Sequence, residues 1–165
     1  MANGKVAPDT LEKAVKGELG LNAFFGFTKD TVDAMAVLGF NLYEQGKNRD
    51  AETIFQGLIS LDPKLYLGYA GMGALLLSEG KSEEGEPYLR KAADLNPTDP
   101  TVRANLGEAL LRQARFDAAA AEFEKALALD PEEEDPGANR ARAILDGMEL
   151  VMSELQRAGG AAASA

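Results

Sequence analysis

The sequence Leu61-Asp62-Pro63 recurs as Leu95-Asn96-Pro97 and as Leu129-Asp130-Pro131, with a constant 34-residue interval between the prolines. Proline cannot continue a helix, because it lacks a backbone donor and restricts the residue before it. Each triplet therefore predicts the end of a helix. Because this ending returns at a fixed interval, we predict three structural repeats over residues 32–65, 66–99 and 100–133.

Three further series of residues have the same 34-residue interval. Small residues in a helix allow a neighbouring helix to cross closely, and large apolar residues fill the space around the crossing. One repeat cannot bury its apolar face alone, so the repeats must stack into an all-α solenoid. The series are Gly39, Gly73 and Gly107; Ala51, Gly85 and Ala119; and Phe55, Leu89 and Phe123.

The repeats depart from one another at three positions. Pro87 follows the predicted start of the second helix of repeat 2, so we expect that helix to begin late or to kink. Gly46 and Gly80 lie in the turn after the first helix of repeats 1 and 2, whereas the third repeat has Ala114 at that position. Arg103 replaces a large apolar residue of the other repeats. We interpret the last two as local adjustments.

Residues 1–31 precede the repeats and form a separate helical segment in this prediction. A short helix from about residue 10 to 19 would place Leu11 and Val15 on one face. Phe24, Phe25 and Phe27 follow, and three phenylalanines in four residues need burial. Either they cover the open end of the first repeat, or they form a dimer contact together with Leu11 and Val15.

The sequence after the three repeats predicts one more helix. Over 134–158 the apolar residues recur at helical spacing, and such a helix covers the exposed face of a final repeat. The small residues of 159–165 predict a disordered tail.

Composition excludes several kinds of function. The chain has 27 acidic and 17 basic residues and a formal net charge of −10, which disfavours nucleic acid and anionic membranes as partners. It has no Cys and no His, which removes thiolate nucleophiles, imidazole bases and the usual zinc ligands. We therefore expect no enzyme activity, no cofactor and no metal, and a cytoplasmic location.

The repeat pattern resembles the tetratricopeptide repeat, with Leu38-Gly39, Gly46, Ala51, Phe55 and Pro63 as its members in repeat 1. The resemblance implies that the first helix of each repeat, helix A, lines a concave groove that binds a peptide. The implied groove residues are Ala36, Phe40, Tyr43, Leu67, Ala70, Ala74, Leu77, Ala104, Asn105, Glu108, Leu111 and Arg112. The last helix of the chain or a second copy could instead fill this groove.

A narrower resemblance covers the layout of the whole chain. The stretch from Phe40 to Lys47, together with Ile54-Phe55-Gln56, is similar to the first repeat of class II chaperones of bacterial type III secretion. These chaperones hold translocator proteins before export, bind a Pro-x-Leu-x-x-Pro segment in the groove, and tend to dimerise through their N-terminal part. The resemblance therefore implies a translocator chaperone. The alternative is a general adaptor or scaffold in another bacterial assembly, such as a pilus, motility or envelope complex.

Overall fold

The computed structural model describes residues 26–163, and in that range the chain is helical with no strand. The helices fall into two compact units, of which unit 1 ends at Pro97 and unit 2 begins at Thr98. The helices of unit 1 are α1 Lys29–Glu44, α2 Asn48–Leu61, α3 Tyr66–Ser78 and α4 Ser82–Leu95. Those of unit 2 are α5 Pro100–Arg112, α6 Phe116–Leu129 and α7 Pro136–Ala163.

The three predicted helix pairs are present, which confirms the all-α repeat fold. Helices α1, α3 and α5 are the A helices, and α2, α4 and α6 are the B helices that follow them. The B helices end at Leu61, Leu95 and Leu129, the first residue of each Leu-Asx-Pro triplet. The prolines therefore stop these helices where the sequence predicts.

Each A helix crosses its B helix at the predicted glycine. A Cβ atom on Gly73 would lie 2.5 Å from Leu89 Cγ, and one on Gly107 would lie 2.5 Å from Phe123 Cδ1. Both partner side chains are fully buried, with exposed fractions of 0%. Side chains this tightly enclosed cannot move aside for an added methyl group, so the glycines set the distance between the two helices.

The A helices end in a left-handed turn residue. Gly46 and Gly80 have φ values of 71° and 79°, and Ala114 takes the same conformation with φ 57°. Left-handed backbone costs a residue with a Cβ about 1–2 kcal/mol. The third repeat therefore keeps the turn of the other two and holds Ala114 in a strained conformation.

Of the two alternatives predicted for Pro87, a late start and a kink, the late start is wrong. Helix α4 begins at Ser82, one repeat length after Asn48 begins α2, and Pro87 lies inside it. Pro87 has no backbone N–H, so the Glu83 carbonyl lacks the hydrogen bond that residue 87 would otherwise donate. Both residues are exposed. Water can therefore bond to that carbonyl, and the helix tolerates the proline.

Helix α7 packs on α5 and α6 within unit 2. Its Ala138 and Ala141 are fully buried and stand one repeat length after Ala104 and Gly107. Helix α7 is thus the A helix of a fourth, incomplete repeat. It continues to Ala163, beyond the end predicted at 158.

Four predicted dimer-contact residues, Leu11, Val15, Phe24 and Phe25, lie outside the described residues, as does the predicted helix over 10–19. The fifth, Phe27, is 42% exposed just before α1.

Candidate functional site

The predicted groove residues of unit 1 lie on α1 and α3, which contact each other. Residues three, four or seven apart share one side of a helix, so Phe40 and Tyr43 of α1 lie together, as do Leu67 and Ala74 of α3. These four side chains are half-buried. We call them the unit 1 face.

Three further predicted residues of unit 1 have little surface to offer a ligand. Ala36, Ala70 and Leu77 have exposed fractions of 2%, 7% and 5%. Helical spacing indicates the side of the helix on which these residues lie. It does not show that neighbouring elements cover that side, as they do here. Contact with a ligand on unit 1 would therefore come from the unit 1 face.

Phe40 belongs partly to the core. Its ring centroid lies 5.1 Å from that of Phe55, with the two rings inclined at 60°. Phe40, Tyr43 and Leu67 all pack against the buried cluster of Ala36, Phe55 and their neighbours. The unit 1 face is therefore held rigidly from beneath, which lowers the entropy cost of binding.

The predicted residues of unit 2 lie along α5, and α7 engages two of them. Arg140 donates from Nη2 to Asn105 Oδ1 at 2.6 Å and from Nε to the Glu108 carboxylate. Arg112 Nη2 lies 4.0 Å from the other oxygen of Glu108. A ligand that used Asn105 or Glu108 would have to displace Arg140.

The remaining predicted residues of unit 2 differ in exposure. Ala104 is fully buried, Leu111 is half-buried, and the side chain of Arg112 is 46% exposed. The sequence analysis missed Arg140. Extending the 34-residue series from Gly107 to Ala141 would have placed residue 140 beside α5.

One apolar position of the repeats is filled by a charged residue in unit 2. Arg103, which replaces a large apolar residue, donates from Nη1 to Glu122 Oε2 at 3.0 Å, and Lys125 Nζ lies 2.7 Å from Glu122 Oε1. Glu122 is buried, so the two cations offset the cost of removing its carboxylate from water. Arg103 is therefore a structural member of unit 2.

The shifted pKa values belong to pairs of charged groups at the protein surface. A hydrogen bond with Asp33 raises the pKa of Lys29. Hydrogen bonds from Lys81 and then Asn48 lower the pKa of Glu79 at the end of α3. Across residues 26–163, no three acidic side chains converge as a metal site requires. None of the helices in that range has the length and apolar character needed to cross a bilayer.

Comparison with known proteins agrees with this architecture. The family model described as tetratricopeptide repeat matches residues 76–145, a range that ends inside α7. The structure of PcrH in complex with the chaperone binding region of PopD is 30% identical, covers 77% of this chain and 97% of that one, and has a TM-score of 0.67. The chain belongs to the tetratricopeptide-repeat family that includes PcrH.

Two further structures of this type are similar. PcrH from Pseudomonas aeruginosa is 31% identical over 73% of this chain and 93% of its own, with a TM-score of 0.65. The type III secretion translocator chaperone SycD of Yersinia enterocolitica, in an alternative dimer, is 24% identical and shares the fold. That match covers 76% of this chain and 96% of SycD, with a TM-score of 0.68. No curated protein sequence gives a significant match.

Proposed function

We propose that this chain is a chaperone of bacterial type III secretion that holds an extended apolar segment of a translocator in the cytoplasm before export. The observation that carries the proposal is the similarity to PcrH bound to the chaperone binding region of PopD. The match covers nearly the whole of PcrH, so it concerns the complete repeat array and not one repeat.

The chemistry of the unit 1 face supports a peptide ligand. Phe40, Tyr43 and Leu67 offer partly exposed apolar surface, and the small Ala74 leaves room beside them. A well-buried leucine or valine of a ligand would contribute about 1.5–3 kcal/mol. Two or three such anchors contribute about 3–9 kcal/mol before the cost of association, so about micromolar affinity also requires contacts from the rest of the segment. The ligand implied by the resemblance, a Pro-x-Leu-x-x-Pro segment, is already extended and loses little entropy on binding.

A binding role also fits what the chain lacks. Without Cys or His, its ionisable side chains are carboxylates, amines, guanidinium groups and tyrosines, and those of the unit 1 face reduce to the Tyr43 hydroxyl. This composition supports a protein that binds and does not catalyse.

The proposal is tested with a labelled peptide that spans the chaperone binding region of PopD. We expect about micromolar binding, and a loss of about ten-fold or more in Ala74→Asp, which puts a charge on the unit 1 face. Ala128→Asp makes the same change at an exposed position of α6 and should leave binding unchanged. Equal binding by the two variants would place the ligand elsewhere.

Co-expression separates a chaperone from an adaptor. A chaperone should keep a translocator with long apolar helices soluble, and Ala74→Asp should return that translocator to the insoluble fraction. If the translocator binds but its solubility is the same with and without this chain, the general adaptor is the better description.

We further propose that a second copy covers the outer side of α1. Leu38 is 48% exposed, whereas Met72 and Leu106, which stand one and two repeat lengths later, are 3% and 1% exposed. Met72 belongs to the core cluster that contains Val32, Ala36 and Phe55 of repeat 1, whereas Leu38 stays exposed. Phe27 and Val37 are further apolar side chains of unit 1 that are 42% and 59% exposed. The alternative dimer of SycD supports self-association as a property of such chains.

A further inference from the structure

Helix α7 has more apolar surface than unit 2 covers. Its first half is anchored by the buried Ala138 and Ala141. Farther along, Val151, Met152 and Leu155 are 58%, 57% and 62% exposed. The A helices α1, α3 and α5 end after 16, 13 and 13 residues, whereas α7 continues for 28. Val151, Met152 and Leu155 lie on one side of α7 and together form an exposed apolar patch that water solvates poorly.

This surface borders a cavity of about 670 Å³ within unit 2. The cavity lies between the middle of α7, the start of α6 and Leu111 at the end of α5. Phe116, at the start of α6, is 56% exposed. Ten residues line it, and nine of them are apolar or glycine. The tenth is Asp117, an exposed carboxylate in the first turn of α6.

We propose that this cavity, the α7 cleft, binds an amphipathic helix of the client protein whose polar side carries basic residues. The proposal rests on the proposed chaperone function and adds to it a second contact, distinct from the unit 1 face. The named lining residues of the α7 cleft are Phe116, Asp117, Met148, Val151, Met152 and Leu155.

The dimensions favour a helix. The α7 residues of the cleft extend from Ile144 to Leu155, about 17 Å at 1.5 Å per residue. A bound helix places anchors at i, i+3, i+4 and i+7, which span about 10 Å and fit within that length. Met148 and Met152 are flexible side chains that adapt to anchors of different shape. Such a surface suits a chaperone, which must accept apolar helices of a client before they reach their final environment.

Charge favours a basic partner over a second copy. The chain has a net charge of −10, and the one ionisable residue of the cleft lining is Asp117. Two copies docked through this cleft would bring together two Asp117 carboxylates and two chains that each carry a net charge of −10. A helix with lysine or arginine beside its apolar stripe would instead be attracted to Asp117.

The test uses the full chain and two designed helical peptides of about 18 residues, with leucine at i, i+3, i+4 and i+7. One peptide carries lysine on its polar side and the other carries glutamate. We expect the lysine peptide to bind about ten-fold or more tightly than the glutamate peptide. The double variant Val151→Asp, Leu155→Asp should lose about ten-fold or more in that binding, with an unchanged thermal melt because both positions are exposed.

Leu150→Asp is the matched control. Leu150 is 63% exposed on α7 but does not line the cleft, so its substitution should leave binding of the lysine peptide unchanged. Equal losses in the control and the double variant would show that binding does not depend on the cleft and would overturn the proposal. If the added carboxylates instead strengthen binding of the lysine peptide in both variants, attraction to the acidic chain alone explains the binding, and the proposal is overturned as well. Unchanged binding in the double variant, or a dimer of the chain that the double variant dissociates, would also overturn it. Binding of the PopD peptide to the double variant reports separately on the proposed chaperone function.

Discussion

The ring of Phe55 occupies the space that a side chain on Gly71 would need. A Cβ atom at residue 71 would lie 2.2 Å from Phe55 Cε1, and one on Gly39 would lie 2.7 Å from the same atom. Helices α1 and α3 therefore both approach α2 through a glycine, with one fully buried ring between them. The core beneath the unit 1 face depends on this arrangement.

Gly71→Ala should destabilise unit 1 by about 1–3 kcal/mol, because the added methyl group forces apart a densely packed core. Urea unfolding followed by circular dichroism measures the change. Gly57→Ala is the matched control, since nothing lies within 4 Å of a Cβ at that helical position. It should stabilise the chain by up to about 1 kcal/mol through helix propensity. A Gly71→Ala variant as stable as the control would contradict the packing argument.

Ala114→Gly should stabilise unit 2 by about 1 kcal/mol, since glycine adopts the left-handed conformation of this turn without steric cost. The melting temperature should rise accordingly. Ala121→Gly makes the same change in the exposed interior of α6, where it should cost about 1 kcal/mol. If both variants lower the melting temperature, the strain at Ala114 is not relieved by glycine and the argument is wrong.

The sequence predicted those features of the fold that repeat. Gly39, Gly73 and Gly107 recur at one position, so their role at the helix crossings follows from the periodicity alone. Gly71 has Val37 and Asn105 at the equivalent positions and belongs to no series. Its contact with Phe55 depends on the particular ring and helix, which the periodicity does not encode.

The candidate site was predicted less completely than the fold. Helical spacing gives the side of a helix on which a residue lies, and it placed Tyr43 and Leu77 together in the groove. Whether a neighbour covers that side depends on tertiary packing, and Leu77 is buried while Tyr43 is half-buried. A charge at Leu77 would therefore report on folding, whereas one at Ala74 reports on binding.

Leu38→Asp should convert a dimer of the chain into a monomer, because it places a charge in the surface that a second copy is proposed to cover. Sedimentation velocity over micromolar concentrations measures the change. Leu150→Asp introduces the same residue at another exposed leucine and should leave the dimer intact. The proposed dimer contact fails if Leu38→Asp sediments like the unchanged chain.

Asp135→Ala should cost unit 2 about 1–2 kcal/mol, because Asp135 caps α7 and ties it to α5. Its Oδ1 accepts from the Ala138 backbone N–H at 2.8 Å and from Thr101 Oγ1 at 2.9 Å. Asp146→Ala removes an exposed carboxylate from the middle of the same helix and should change stability by less than about 0.5 kcal/mol.

A double-mutant cycle separates the two contacts of Asp135. Thr101→Val keeps the shape of the side chain and removes only the hydroxyl, so it should lose little further stability once Asp135 is alanine. If the two losses instead add in full, Thr101 and Asp135 act independently, and the N-cap bond to Ala138 alone carries the effect. Hydrogen exchange of the amides at the start of α7 should rise in Asp135→Ala, since their protection depends on how firmly that first turn is held.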